Sequence, residues 1–255
     1  MSYAHMSGWD QPKGQIFIPK GQASAGHSIG ILVLDVWYPL VPGNVANAST
    51  YDFPVLLQIL KGATIERVVA GDSSLLPLII DGARELERQG VRAIVGACGY
   101  LANYQKEAAA ALRVPTFLSS LLQVPIILRA LKADQKLGII CADADFLTSD
   151  TLLACGIEEL SRITIADAQG IPEFLNLSRS TGHLDSQSIL EGLVDIANQL
   201  VSKSPEVGAI LLECSDMPPY AWAIQDAVRL PVFDFITMIR WIHDAAVRHP
   251  FSGFI

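Results

Sequence analysis

An α/β fold built from two similar lobes is predicted by three features of the sequence. Short Val- and Ile-rich runs alternate with longer amphipathic stretches, the pattern of βα units feeding a mainly parallel sheet flanked by helices. Apolar residues make up 51% of the 255 positions and charged residues 17%, enough for a large interior. One segment, reading strand, Cys, helix, Arg-x-Pro, strand, occurs twice.

The elements follow in order. Residues 1–27 form a flexible or loosely docked lead-in, because Gly and Pro recur there without a helical or strand period. The first strand, near 29–35, is the apolar run Ile29-Gly-Ile-Leu-Val-Leu-Asp35. Helical spacing is expected near 53–61, a β-branched strand near 66–70 and an amphipathic helix near 74–89. A strand near 91–97 leads into a helix near 100–113, then a strand near 114–117 and a helix near 119–132. The second half supplies strands near 137–142, 161–166, 207–213 and 231–233, with helices near 147–155, 171–179, 185–203, 217–229 and 234–248. The first lobe is therefore drawn over 28–130 and the second over 131–233, with a ligand crevice between them. A C-terminal helix within 234–255 is expected to pack back on the first lobe.

The repeat carries the chemistry. Val91–Phe117 laid on Val207–Phe233 at a constant offset matches nine of 27 positions without a gap, among them Cys98/Cys214, Tyr104/Tyr220, Arg113/Arg229 and Pro115/Pro231. Each of the two cysteines ends an apolar strand and precedes a helix. In open α/β sheets that carboxyl edge is where ligands bind. A helix N-terminus also favours thiolate, so a thiol pKa below the usual value of about 8.5 is expected there. Two thiols facing one cavity from opposite sides suit proton removal from one face of a carbon and return to the other, and such a pair titrates as a coupled unit. Cys141 and Cys155 have no partner in the repeat and read as core residues, and the matched Tyr104 and Tyr220 read as packing.

Charge and motif content remove other classes. Eighteen Lys+Arg against twenty-six Asp+Glu give a net charge of −8, the wrong sign for nucleic acid or anionic membranes. No apolar run reaches the roughly 18–20 residues of a membrane span, and no export signal is visible, so a cytoplasmic protein with reduced thiols is expected. The five histidines show no metal-ligand spacing, and neither GxGxxG nor GxxxxGK[ST] supplies a phosphate cradle.

The segments Ile29–Asp35, Pro42–Thr50, Ala97-Cys-Gly-Tyr100, Ser119–Pro125 and Leu212-Glu-Cys-Ser-Asp-Met-Pro-Pro-Tyr220 resemble the aspartate/glutamate racemase superfamily over nearly the whole chain beyond the lead-in. The resemblance implies two pseudo-symmetric lobes, a cofactor-independent enzyme, Cys98 and Cys214 as the catalytic pair, and a small carboxylate substrate. Relatives often form homo-oligomers. Retention of both cysteines favours racemase or isomerase chemistry over the decarboxylase branch, which keeps one. The chain departs from the amino-acid racemases at both sites, reading Cys98-Gly99-Tyr100 and Cys214-Ser215-Asp216 in place of Cys-Asn-Thr and Cys-Thr followed by His or Glu. A single-cysteine reaction of the maleate isomerase or arylmalonate decarboxylase kind, and a non-catalytic small-anion binding protein, are the alternatives.

Supporting residues are drawn from the neighbouring loops. Gly99, Tyr100, Ser215 and Asp216 flank the thiols, and backbone N–H groups after the cysteines would hold the carboxylate in the absence of nearby Arg or Lys. Asn44 and Asn47 match the family's substrate-facing loop, with turn formation as their alternative role. Ser119 and Ser73, with Ser74, could bind substrate or cap helices. Asp35 is an auxiliary acid or a solvated strand end.

Overall fold

The computed structural model describes residue 18 and residues 20–255. Most of the expected lead-in, residues 1–17 and 19, lies outside the described residues. Its last part is tied to the first lobe, where Ala23 N–H donates to Gln89 Oε1 at 3.2 Å.

The first lobe contains β1 (Ile29–Leu34), β2 (Val55–Leu60), α1 (Ile65–Val69), α2 (Leu76–Arg88), β3 (Ala93–Gly96), α3 (Gln105–Ala111), β4 (Thr116–Phe117) and α4 (Val124–Ala130). The second contains β5 (Lys136–Cys141), α5 (Ser149–Ala154), β6 (Ile163–Asp167), α6 (Pro172–Ser178), α7 (Ser186–Lys203), β7 (Val207–Leu212), α8 (Ala221–Val228) and β8 (Val232–Phe233), after which α9 (Phe235–Ala246) follows. Each lobe holds a four-stranded parallel sheet, ordered β2-β1-β3-β4 and β6-β5-β7-β8. The two orders correspond strand for strand, so the internal repeat is matched by two sheets of the same topology.

Two expected elements change type. The stretch expected as a helix near 53–61 is strand β2, and the strand expected near 66–70 is helix α1. A six-residue apolar run such as Val55-Leu-Leu-Gln-Ile-Leu60 has no decisive period. Tertiary pairing decides it: β1 is wholly buried, pairs β3 on one side, and needs β2 to satisfy the backbone groups of its other side. Gly62, at φ +88°, then reverses the chain in a conformation open to glycine. Residues 65–69 follow this turn as a short helix that buries Val68 and leaves the outer side of β2 as the sheet edge.

The lobes share their core. Leu32, Ile94, Tyr100 and Leu118 of the first lobe belong to one cluster with Leu137, Ile139, Cys141 and Leu211 of the second. Helix α9 packs Phe235, Met238, Ile239 and Ile242 against Ile29, Ile31, Ala93 and Val95, covering the other face of the first sheet. Among the described residues no helix is long and apolar enough to cross a membrane, and no group of His, Cys, Asp or Glu is arranged to hold a metal ion.

Candidate active site

A cavity of about 470 Å³ opens at the carboxyl ends of the central strands, between the lobes. Both Cys98 and Cys214 line it, each delivered by the turn that follows a buried strand, β3 or β7. The two turns meet through complementary flanking residues. Ser215 Oγ donates to the carbonyl oxygen of Ala97 at 2.9 Å, while the Glu213 side chain lies on Gly99. A methyl group at Gly99 would overlap both Glu213 Oε1 and the Glu213 carbonyl oxygen, so glycine is required there to admit the carboxyl.

Tyr100 closes the same seam. Its hydroxyl donates to the Asp143 carbonyl at 2.5 Å and accepts from the Asp143 N–H at 2.8 Å, joining the Cys98 turn to the end of β5. Replacing Tyr100 by Phe strands a donor and an acceptor in a region where the ring is 3% exposed. A loss of about 1–3 kcal/mol in unfolding free energy is expected. A urea unfolding curve unchanged from wild type would remove this seam as a stabilising contact.

The electrostatic setting differs from that expected for thiols at helix starts. Cys98 Sγ receives the backbone N–H groups of Tyr100 and Leu101, and Cys214 Sγ that of Asp216, both of which favour thiolate. Burial outweighs these donors and pushes both thiols up, and the carboxyls of Glu213 and Asp216 add to the rise. Asp216 accepts hydrogen bonds from Tyr38 Oη at 3.1 Å and from Asn44 Nδ2, and Cys214 Sγ lies 3.7 Å from Asp216 Oδ2. These bonds hold down a carboxyl that burial otherwise raises. Burial likewise pushes the Glu213 carboxyl up to about 8.

Of the residues selected from sequence, Asn44, Cys98, Gly99, Tyr100, Cys214, Ser215 and Asp216 line the cavity. Four others do not. Asn47 shapes its own loop, accepting from Ser49 N–H and donating to the Leu40 carbonyl. Ser119 is sealed from solvent and caps the 3-10 turn 120–123 through Leu121 N–H. Asp35 is exposed and accepts from Gly62 N–H, tying the end of β1 to the turn after β2. Ser73 is exposed and opens a 3-10 turn capped by Asp72, and Ser74 bonds to Asp72 and Arg67.

Sequence reasoning did not single out Tyr38, Glu213, Arg179, Phe146 and Phe174, all of which line the cavity. Glu213 had a signal: one carboxyl ending the wholly apolar run Ala209-Ile-Leu-Leu212, where the other copy has Ala97. Arg179, at the end of α6, is the cation of the lining. Its approach from the second lobe's helical layer leaves no trace in local sequence.

No protein-family model matches the chain. Over 236 residues the chain is 32% identical to dimethylsulfoniopropionate lyase 6 of Emiliania huxleyi (strain CCMP1516), an alignment covering 89% of this chain and 61% of that protein. It is 30% identical to dimethylsulfoniopropionate lyase 7 of the same organism, covering 89% and 69%. The chain spans 47% of the length of another, dimethylsulfoniopropionate lyase 5. Among solved structures, unliganded arylmalonate decarboxylase aligns with a TM-score of 0.58 at 17% identity, covering 89% of this chain and 95% of that one. Allantoin racemase from Pseudomonas fluorescens aligns with a TM-score of 0.56 at 16% identity, covering 89% and 99%. At these identities the structural likeness is one of fold.

Proposed function

Because this chain belongs to the dimethylsulfoniopropionate lyase family and has the fold of the aspartate/glutamate/hydantoin racemase superfamily, we propose that it is a lyase that takes a proton from the carbon next to a substrate carboxylate and eliminates a group from the following carbon. The observation that carries this reading is the pair of thiols, Cys98 and Cys214, delivered by equivalent turns into one cavity. In dimethylsulfoniopropionate the proton would pass to a thiolate, the C–H electron pair would form the new C=C bond, and the C–S bonding pair would leave with neutral dimethyl sulfide. Acrylate would remain. The thiols supply the acid–base function, so the reaction calls on no cofactor.

Charge supports a substrate of this kind. Burial, and after it the Glu213 and Asp216 carboxyls beside them, hold the two thiols protonated. A sulfonium group entering the cavity brings a positive charge beside the thiols and draws their values down, so that binding favours the thiolate base. Tyr38, Tyr100, Phe146 and Phe174 line the cavity, and aromatic rings attract an onium group. Cys98 is the better base because two N–H groups point at its sulfur, whereas Cys214 hands its S–H to Asp216.

Retention of both thiols supports a second reading, racemisation or isomerisation of a small carboxylate by the same carbanion, with the second thiol returning the proton. Proton NMR in D₂O separates the two. With dimethylsulfoniopropionate, the lyase reading expects acrylate and dimethyl sulfide. Deuterium entry with inversion in chiral amino acids, hydantoins or 2-hydroxy acids would favour the racemase, and loss of CO₂ from an arylmalonate would favour a decarboxylase. Silence throughout the panel would sink carbanion chemistry and leave a binding protein.

A further inference from the structure

The pair of thiols is symmetric, but its surroundings are not. Glu213 stands where the first lobe has Ala97, at the residue before the cysteine. It is 0% exposed, and its Oε1 has no hydrogen-bond partner. The carboxyl is held between the two thiol-bearing turns: it precedes Cys214 in the chain and rests on Gly99, the neighbour of Cys98. Its other oxygen has one long contact, 3.5 Å from Ala142 N–H. Position, burial and an unpartnered oxygen together mark a group suited to a ligand, in a cavity whose one lining cation is Arg179, the residue that ends α6.

We propose that Glu213 is the carboxylate-recognition residue of this cavity, a catalytic group whose O–H donates to the substrate carboxylate while a thiolate removes the adjacent proton. The proposal rests on the reading of the substrate as a carboxylate that reacts through a carbanion. Thiols flanking the α-carbon place the carboxylate carried by that carbon beside whatever lies between them, and that is Glu213. Ionised, Glu213 would face the substrate with like charge and would be a buried charge with no hydrogen-bond partner on Oε1, a costly state. As the neutral acid it supplies the donor that strengthens as negative charge moves onto the carboxylate oxygens. No bond to Glu213 forms or breaks; its proton stays on the carboxyl.

The groups facing it support the neutral form. Asp216 on its own strand end acts on it as a like charge, and the Glu213 charge in turn would disfavour ionisation of Cys98 and Tyr100 from the turn after β3, Cys141 of β5, Cys155 after α5, and Cys214. None of these is a cation. Burial holds the proton on Glu213 up to about pH 8.

Propionate is the probe, with binding measured by calorimetry on wild type, Glu213→Ala and Glu213→Gln, beside turnover of dimethylsulfoniopropionate. Wild type should bind propionate, Glu213→Ala about tenfold or more weakly, and Glu213→Gln, which keeps a donor of the same shape, should recover most of that binding. Loss of kcat/KM should be about 10²–10³-fold in the alanine variant, the usual effect of removing one donor to developing charge, and smaller in the glutamine variant. The infrared difference between wild type and Glu213→Gln at pH 6 should contain the C=O stretch of a protonated carboxyl. A folded Glu213→Ala variant that binds propionate and turns over like wild type overturns the proposal, as does an infrared spectrum with only ionised carboxylate. A wild type that binds propionate through Glu213 but neither eliminates nor exchanges α-protons on any carboxylate would overturn the carbanion reading instead.

Discussion

Cys98→Ala is expected to lower turnover by about 10²–10⁴-fold, the range for loss of a positioned base, and Cys214→Ala to lower elimination by less, because dimethyl sulfide leaves without taking a proton. The two variants should differ in kind. With Cys98 as the base, Cys98→Ala abolishes both elimination and entry of deuterium at the α-carbon. Cys214→Ala leaves Cys98 able to remove and exchange the α-proton from its own face, and loses the proton return that racemisation needs. The expectation follows from the shared cavity and from the donors to each sulfur, two backbone N–H groups on Cys98 against one on Cys214. Cys155→Ala serves as the control, since Cys155 is a buried core thiol outside the cavity lining. Full activity in both Cys98→Ala and Cys214→Ala would remove thiol chemistry altogether. Exchange that survives only in Cys98→Ala would reverse the roles.

A second large effect concerns stability. The Glu213 carboxyl is raised in the folded protein from 4.5 to about 8 because it is buried. Below about pH 4.5 it is protonated both folded and unfolded, and contributes no pH dependence. Between that point and about 8 the unfolded chain releases the proton while the folded chain keeps it, so stability falls as pH rises across this window. Above 8 the full penalty is present. At about 1.4 kcal/mol per pK unit the penalty has an upper bound of about 5 kcal/mol. Glu213→Gln lacks this titration, so it should gain on wild type by several kcal/mol between pH 5 and pH 8 when urea unfolding is compared. Asp234 is raised by burial as well, but both proteins retain it and its effect cancels. Parallel stability curves would show that Glu213 ionises freely in the folded state.

The cysteine pair was legible because its signal is a repeat. Cys98 and Cys214 stand at one offset within matching strand–turn–helix segments, and matching segments fold into equivalent lobes. Gly99, Tyr100, Ser215 and Asp216 follow from adjacency to those cysteines. Adjacency also misleads: Ser119 and Asn47 bear polar groups in the right loops, but both spend them on their own backbone turns. The direction of the thiol shifts was not legible either. The local contribution, N–H groups at the start of a turn, is present, but burial and the carboxyls of Glu213 and Asp216 override it.

By itself the sequence determined the α/β class, the two-fold repetition and the two thiols, since periodicity and internal identity are properties of residues close in the chain. Only the tertiary structure decided that 55–60 is a strand and 65–69 a helix, because a pairing partner for β1 had to come from somewhere. It alone decided that Glu213 stands in the site and that Ser119 and Ser73 do not. Burial and electrostatics are sums over atoms brought from distant segments: Gly99 leaves the space, Ala142 offers one weak donor, and Asp216 adds a like charge. No local pattern encodes that sum.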